Sequence, residues 1–308
     1  MTSIVSFLLA AFFIGVQPAP PPPPIIGRWD LTVHEKGGDR PAWLEVRHSG
    51  TRTLVGQFTG TGGSARPISV VQFNNGEFRF EIPPQWERGD GMLVVVGRID
   101  GDGVNGTMTF AGGPPVDFTG VRAPSLERTS APVWDKPIPL FDGKDLTGWH
   151  PVGNASQWEA ADGVLRNKKG GANLITDRTF TDFKLHIEFR YPPHGNSGVY
   201  LRGRYEVQVA DEDQMEVGAL GAVYGLLAPN QHAAKGPGEW QSFDITLVGR
   251  RVTVALNGKT IVCDAEIPGV TGGALDSKEG EPGPIYLQGD HGPVEFRNIT
   301  LTPAKEVG

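Results

Sequence analysis

In the segment Phe183-Lys-Leu-His-Ile-Glu-Phe-Arg190 every apolar side chain falls on an odd position and every polar one on an even position. A period of two belongs to an extended strand with one buried face; wound as a helix, the same residues would scatter around the axis. The alternation recurs in Phe243-Asp-Ile-Thr-Leu-Val248 and Val252-Thr-Val-Ala-Leu256, after which Asn257-Gly258 turns the chain into Lys259-Thr-Ile-Val-Cys263. It closes with Ile285-Tyr-Leu-Gln288 and Val294-Glu-Phe-Arg-Asn-Ile-Thr-Leu301. So many one-faced strands predict antiparallel sheets, and two such sheets packed together form a sandwich.

Residues 27–122 alternate in the same way, in runs at 29–33, 43–47, 53–58, 68–73, 77–81, 92–98 and 106–110. Asn74-Asn-Gly76 and Gly101-Asp-Gly103 are hairpin signals. Seven or eight short strands predict a small antiparallel β-barrel or sandwich, whose interior is either plugged by its own side chains or open to a ligand. The opening Gly27-Arg-Trp29 resembles that of lipocalin-like barrels. Residues 123–137 lack periodicity and hold three prolines, as expected of a linker between this domain and a second one over 138–308. The 43 glycines and 26 prolines sit between the runs, where turns are needed. The fold class is therefore all-β, in two domains.

The net charge of −7 is spread thinly and forms no basic stripe, which argues against a nucleic-acid or anionic-membrane partner. One cysteine, Cys263, excludes an intramolecular disulfide and a paired-cysteine metal cluster; its strand-like setting predicts a small buried apolar residue. Residues 4–16 form an apolar run too short to span a bilayer, followed by small residues and the prolines Pro20 to Pro24. This predicts a signal peptide over 1–19 and a stiff Pro-rich spacer over 20–26. The expectation is an exported protein, periplasmic or secreted, with no membrane span after cleavage.

Several phrases of the second half carry a family likeness. They are Pro139-Leu-Phe-Asp-Gly-Lys-Asp-Leu-Thr-Gly-Trp149, Gly195-Asn-Ser-Gly-Val-Tyr-Leu-Arg-Gly203 with Tyr205-Glu-Val-Gln-Val209 and Asp211, Gly221-Ala-Val-Tyr-Gly225, Lys235-Gly-Pro-Gly-Glu-Trp240, and Gly283-Pro-Ile-Tyr-Leu-Gln-Gly-Asp-His-Gly292 with Phe296-Arg-Asn-Ile299. In order and spacing, from about Ile138 to Pro303, they resemble the 3-keto-disaccharide hydrolase family. The resemblance implies a concanavalin-like jelly-roll sandwich that acts on a glycoside whose C3 hydroxyl has been oxidised to a ketone, so a carbohydrate substrate is expected. A C3 ketone acidifies the C2–H. A base can then remove that proton, the enolate expels the C1 substituent by β-elimination, and water adds to the enone. Such a site needs a base, a cation or donor over the C3 oxygen, and a proton source for the leaving group. A divalent metal could serve as Lewis acid, but no spaced ligand cluster identifies one, so the cofactor is left unknown.

Continued strand parity places Tyr200, Arg202, Glu206 and Gln208 on one face if no turn resets the register at Gly203; otherwise they form a solvated outer face. Glu206, Gln208 and Asp211 follow the spacing of the ExDxxE motif of jelly-roll β-glucanases with Gln208 in the middle, which disfavours double displacement. The catalytic candidates are Glu206 as carboxylate base, His291 for proton transfer, Lys235 as counter-charge and Asp211. The substrate-binding candidates are Asn196, Tyr200, Arg202, Gln208, Tyr224, Trp240 and Gln288. Each also has a plainer role: His291 as a turn residue, Lys235 as a solvated loop residue and Trp240 as core. Asp290 could orient His291 or bind a cation, and the remaining histidines are expected at the surface. Two other functions stay open. A lectin-like carbohydrate-binding protein would need no poised base, and a conventional retaining β-glucanase would need the missing middle acid.

Overall fold

The computed structural model describes residues 21–85, 90–110, 112–153 and 155–305; the expected signal peptide over 1–19 lies outside them. All regular structure is β. In the first half, β1 (Gly27–Glu35), β2 (Gly38–Ser49), β3 (Thr53–Thr59), β4 (Arg66–Ile68), β5 (Gln72–Asn74), β6 (Glu77–Ile82), β7 (Leu93–Asp100), β8 (Gly103–Thr109) and β9 (Pro115–Arg122) make one antiparallel sheet. Their order is β4-β3-β2-β1-β9-β8-β7-β6-β5, and β4 returns against β6, so the sheet curls into a barrel. The run at 68–73 is broken into β4 and β5, with Val71 N–H donating to Leu54 O at 2.8 Å between them. Strand β9 escaped the sequence pattern because it opens on proline and carries Gly120. That glycine is there for space, since a Cβ would fall 2.5 Å from Leu31 Cδ2 and 2.7 Å from Asp30 O.

The barrel interior is filled by Trp29, Leu31, Val33, Phe58, Phe80, Val95, Met108 and Phe118, all buried. The end of the proline stretch belongs to this packing. Ile25 is wholly buried and its carbonyl accepts from Trp29 Nε1 at 2.9 Å, while the Arg122 guanidinium lies 4.3 Å over the Trp29 ring.

The second half contains β10 (Ile138–Pro139), β11 (Trp149–Val152), β12 (Trp158–Ala161), β13 (Val164–Asn167), β14 (Asn173–Thr176), β15 (Phe183–Arg190), β16 (Asn196–Leu201), β17 (Tyr205–Ala210), β18 (Gln241–Val248), β19 (Arg251–Leu256), β20 (Lys259–Glu266), β21 (Tyr286–Leu287) and β22 (Val294–Pro303). An eight-stranded sheet, β12-β13-β22-β15-β18-β19-β20 with β10 on β22, packs on a five-stranded sheet, β11-β14-β21-β16-β17. The odd residues of β15 and β17 and those of β18 meet in the core between them, the arrangement of a jelly-roll sandwich. Cys263 departs from expectation and is exposed. The register between β19 and β20 slips around Val254, so Ile261 and Val262 both turn inward and Cys263 turns out.

The two halves dock through the outer face of β1 and β2. Arg28, Asp30 and Thr32 share that face. Arg28 pairs with Glu266, Thr32 Oγ1 lies 2.7 Å from Ser277 Oγ, and Trp43, opposite Asp30, packs on Val270 and Ala274. Beneath them Glu279 is fully buried, accepts from Tyr205 Oη at 2.6 Å and pairs with Arg250. Burial first, and then repulsion from Glu279, push the Asp30 carboxyl up to about 9, so it is protonated at neutral pH.

A carboxyl whose folded-state pKa is raised contributes its full stability below the unfolded value of about 4 and loses it as pH rises through the folded value. Asp30→Asn, neutral at every pH and still able to donate to Glu279, should therefore gain melting temperature over wild type progressively from pH 5 to pH 9. A difference that stays flat across that range in thermal unfolding would remove Asp30 from the pH dependence.

Candidate functional site

In the β16–β17 hairpin Gly198 lies opposite Gln208 and Tyr200 opposite Glu206. The odd residues Val199, Leu201, Val207 and Val209 enter the sandwich core, which sends Asn196, Gly198, Tyr200, Glu206 and Gln208 to the other side. On the next strand Tyr286 lies opposite Tyr200, with the rings stacked at 4.3 Å and 11°. An outer sheet face would normally meet water, yet all six residues of β17 are buried. The segment at 221–224 bonds along its edge, with Gln208 N–H donating to Ala222 O at 2.9 Å and Tyr224 N–H to Glu206 O at 3.0 Å. The loop at 271–273 covers it from above.

Glu206 is 3% exposed. Its Oε2 lies 2.9 Å from Tyr200 Oη, which is also 3.0 Å from Gly272 O. One phenol proton serves one acceptor at a time. Ionised Glu206 takes it; protonated Glu206 donates to Oη and frees the phenol proton for Gly272, so both states are satisfied. Two glycines make room for this arrangement. A Cβ on Gly198 would stand 2.2 Å from Glu206 Oε1, and one on Gly273 2.7 Å from Tyr200 Oη. Burial pushes Glu206 up to about 8, against the Tyr200 hydrogen bond and with the help of the Asp290 charge.

Beside it, His291 Nδ1 is 2.6 Å from Asp290 Oδ1. That hydrogen bond raises the imidazole pKa, burial opposes it, and the Asp290 charge adds to it. For Asp290 itself burial acts upward, but the bonds from His291 and Asn173 prevail and hold it low. Asn173 is fixed in turn by accepting Gly289 N–H at 2.8 Å. The site thus holds a carboxyl pushed up to about 8 and an imidazole whose pKa is raised by the carboxylate it bonds, the pairing expected of a general base and a general acid.

These groups line a cleft of about 630 Å³ together with Asn173, Tyr224, Gly272, Gly273 and Tyr286, and with Glu35, Arg40, Thr61, Gly62 and Gly63 of the barrel. Asn196 Oδ1 and Gln288 Oε1 are buried there without a hydrogen-bond partner, two acceptors suited to ligand hydroxyls. Gln208 Oε1 is occupied by Val209 N–H at 3.0 Å, which leaves its NH2 as the donor end. Among the described residues no group of three or more His, Cys, Asp or Glu is arranged to hold a metal ion, and no helix is long and apolar enough to cross a membrane.

Of the residues expected from sequence, the cleft gathers Glu206, His291, Asn196, Tyr200, Gln208, Tyr224 and Gln288. Four others lie elsewhere. Arg202 leaves the strand in a left-handed conformation (φ 53°) and donates to Tyr205 Oη at 2.9 Å and Gly249 O at 3.2 Å, because it sits in the three-residue turn between Leu201 and Tyr205 and so outside the strand alternation that continues across it. Asp211 accepts His194 N–H at 2.8 Å and so fastens the preceding turn. Lys235 Nζ donates to Trp240 O at 3.1 Å. Trp240 lies between Arg297 (3.9 Å) and Arg190 (4.8 Å), on the outer face of the other sheet. Sequence reasoning missed Asn173, Gly198, Tyr286 and the barrel residues; for Tyr286 the shared even parity with Gln288 was the available signal.

A larger opening of about 710 Å³ is lined by the segment at 123–132. Of its charged residues, Arg28, Arg128, Arg250, Arg251 and Glu266 are engaged in ion pairs, and the remaining one, Glu127, is exposed.

A family described as "3-keto-alpha-glucoside-1,2-lyase-like domain" matches residues 136–302. A 3-keto-disaccharide hydrolase of Bacteroides thetaiotaomicron is 31% identical over 110 residues, 32% of this chain and 38% of the relative, so the match spans well under half of that protein. Two solved structures of candidate glycosyl hydrolases from Parabacteroides distasonis are also similar. One has 35% identity and a TM-score of 0.47, covering 54% of this chain and 82% of its own. The other has 29% identity and a TM-score of 0.44, covering 54% and 98%.

Two measurements test the buried carboxyl. In a carboxyl-labelled NMR titration Glu206 should ionise near pH 8, and Tyr200→Phe, which removes the bond that favours the ionised form, should move the midpoint higher. Because the folded-state pKa is raised, Glu206→Gln should melt above wild type at pH 8 and lose that advantage toward pH 4. A gain of at least about 2–4 °C, equivalent to about 1 kcal/mol, is expected. A midpoint near 4.5 would show that the carboxyl is solvated.

Proposed function

Since the chain belongs to the 3-keto-alpha-glucoside-1,2-lyase-like family, we propose that it is a glycosidase that cleaves 3-keto-glycosides, 3-keto-disaccharides among them, by elimination and hydration. The observation that carries this reading is the buried Glu206 carboxyl, which ionises near pH 8 beside the Asp290–His291 pair.

With the oxidised ring on the cleft floor, ionised Glu206 takes the C2 proton. The electron pair moves into an enolate whose oxygen faces the amide donors of the floor, Gln208 among them. Collapse of the enolate forms the C1=C2 bond and expels the C1 oxygen, which His291 protonates as it departs. Water then adds across C1=C2: its hydroxyl goes to C1 while its other proton passes to His291, and Glu206 returns the proton to C2. The enzyme is regenerated and the net change is hydrolysis. Tyr200 matches its hydrogen bond to the state of the carboxyl at each step. Asn196 and Gln288 supply acceptors for the sugar hydroxyls. The diversion of Asp211 into a turn counts against double displacement by a carboxylate pair. The apolar stretch at 4–16 supports export to the periplasm or medium, which N-terminal sequencing of the mature protein from its host would test.

Incubation with a 3-keto-disaccharide and with the parent sugar should yield 3-keto-glucose from the first and no cleavage of the second; cleavage of the parent alone would overturn the proposal. Glu206→Gln should lower turnover by roughly 10²–10⁴ with little loss of binding. Deuterium at C2 should slow the wild type when proton removal limits the rate. Lys235→Ala, at a residue that does not line the cleft, should change turnover by less than about twofold.

A further inference from the structure

The family match begins at residue 136 and says nothing of the barrel, yet one wall of the cleft is barrel. Glu35 and Arg40 come from the β1–β2 hairpin, where Arg40 lies opposite Val33, and Thr61 to Gly63 come from the connection between β3 and β4. This wall is held in register with the catalytic floor. A Cβ on Gly272 would stand 2.1 Å from Gly63 O, and one on Gly225, beside Tyr224, 2.6 Å from Ser64 Cα. Gly272 O is the acceptor of Tyr200, so the barrel loop touches the peptide that holds the tyrosine next to Glu206.

Arg40 is exposed, and its neighbour Asp39 is taken by His34 at 2.8 Å, which leaves the guanidinium without an ion-pair partner among the described residues. It stands within electrostatic reach of Tyr286. Burial, and then Asp290 and Glu206, hold that phenol high, while Arg40 acts in the opposite direction. With Glu206 protonated, the other lining charges are two acids and two bases, Glu35 with Arg40 and Asp290 with His291, and ionisation of Glu206 adds negative charge, so the opening suits a neutral, polyhydroxylated group more than an anion. Depth gives the order of occupancy. The ring that loses its C2 proton must reach Glu206, 3% exposed, at the floor, so the group attached through C1 is left to the outer part where the hairpin stands.

We propose that the leaving-group sugar of the substrate docks against the N-terminal barrel, with Arg40 as the specificity-determining residue that donates to its hydroxyls and Glu35 as the accepting partner. The cleft is then a two-domain site: the jelly roll performs the chemistry and the barrel selects what is released. This inference rests on the 3-keto-glycoside reading above.

The test compares full-length wild type, Arg40→Ala and Arg40→Lys on a 3-keto-disaccharide and on methyl 3-keto-glucoside, which lacks the second sugar. Arg40→Ala should lower kcat/KM for the disaccharide by about 10–100-fold, mostly through KM, as expected for lost hydrogen bonds from a charged group. Its loss on the methyl glycoside should be at least about fivefold smaller, and Arg40→Lys should recover part of the disaccharide activity. Equal losses on the two substrates, with the wild type active on both, would overturn the barrel subsite and leave the proposed function standing. A wild type inactive on both would overturn the function and this inference with it. Arg40-dependent preference for a 3-keto-glycoside of a uronic acid over the neutral disaccharide would overturn the neutral leaving group.

Discussion

A carboxyl buried on one strand, with a phenol of the next strand and a second carboxylate as its polar neighbours, sets the character of the cleft. In water a glutamate is ionised at neutral pH and its conjugate base is weak. Removing Glu206 from water moves its ionisation to about 8, so its ionised form is a stronger base than a solvated carboxylate. The dry setting is a product of the fold. The hairpin turns its apolar residues into the sandwich core, and its polar face is covered by the barrel, the loop at 271–273 and the segment at 221–224. Stability at neutral pH is given up to keep the carboxyl there, a trade common at catalytic centres.

The same alternation that builds the barrel also builds its docking face. Along β1 the odd residues Trp29, Leu31 and Val33 fill the interior, so Arg28, Asp30 and Thr32 are presented outward to the loop at 266–281. That interface buries unlike charges and a shared proton together. Glu279 receives Arg250 and Tyr205, and Asp30 remains neutral against it. Tyr205 links this network to the strand that carries Glu206, so the docking face and the floor of the cleft share one strand.

Much of this was legible in the sequence, and the failures have physical causes. Period two gave the strands, and parity carried Asn196, Tyr200, Glu206, Gln208 and Gln288 to one side because nothing interrupts β16, β17 or the end of β21. Parity failed at Arg202, where three turn residues separate paired strands, and at Cys263, where a bulge puts two successive residues inside. Lys235 and Trp240 were placed by their position in a family phrase, which carries no distance to the floor; their loop lies on the opposite sheet. The barrel wall was invisible for another reason. Alternation tells which face of a strand is apolar, but where two separately folded sheets meet depends on shape, which no window of residues encodes.

Gly225, Gly269 and Gly272 each leave a gap that another part of the chain fills: Ser64, the Trp43 indole (2.1 Å from a Cβ on Gly269) and Gly63, all from the barrel. Neither Gly269 nor Gly272 has a positive φ, so the backbone there would tolerate any residue if the barrel were absent. Their bareness is a mould of the neighbour. A jelly roll without such a barrel would have open space at Gly269 and Gly272, and a side chain there would meet no clash. Gly225, at φ 72°, would stay glycine in either case, so Gly269 and Gly272 are the two sites that record the partnership of the two halves, and aligned across relatives they would sort chains that evolved with a barrel from those that never met one.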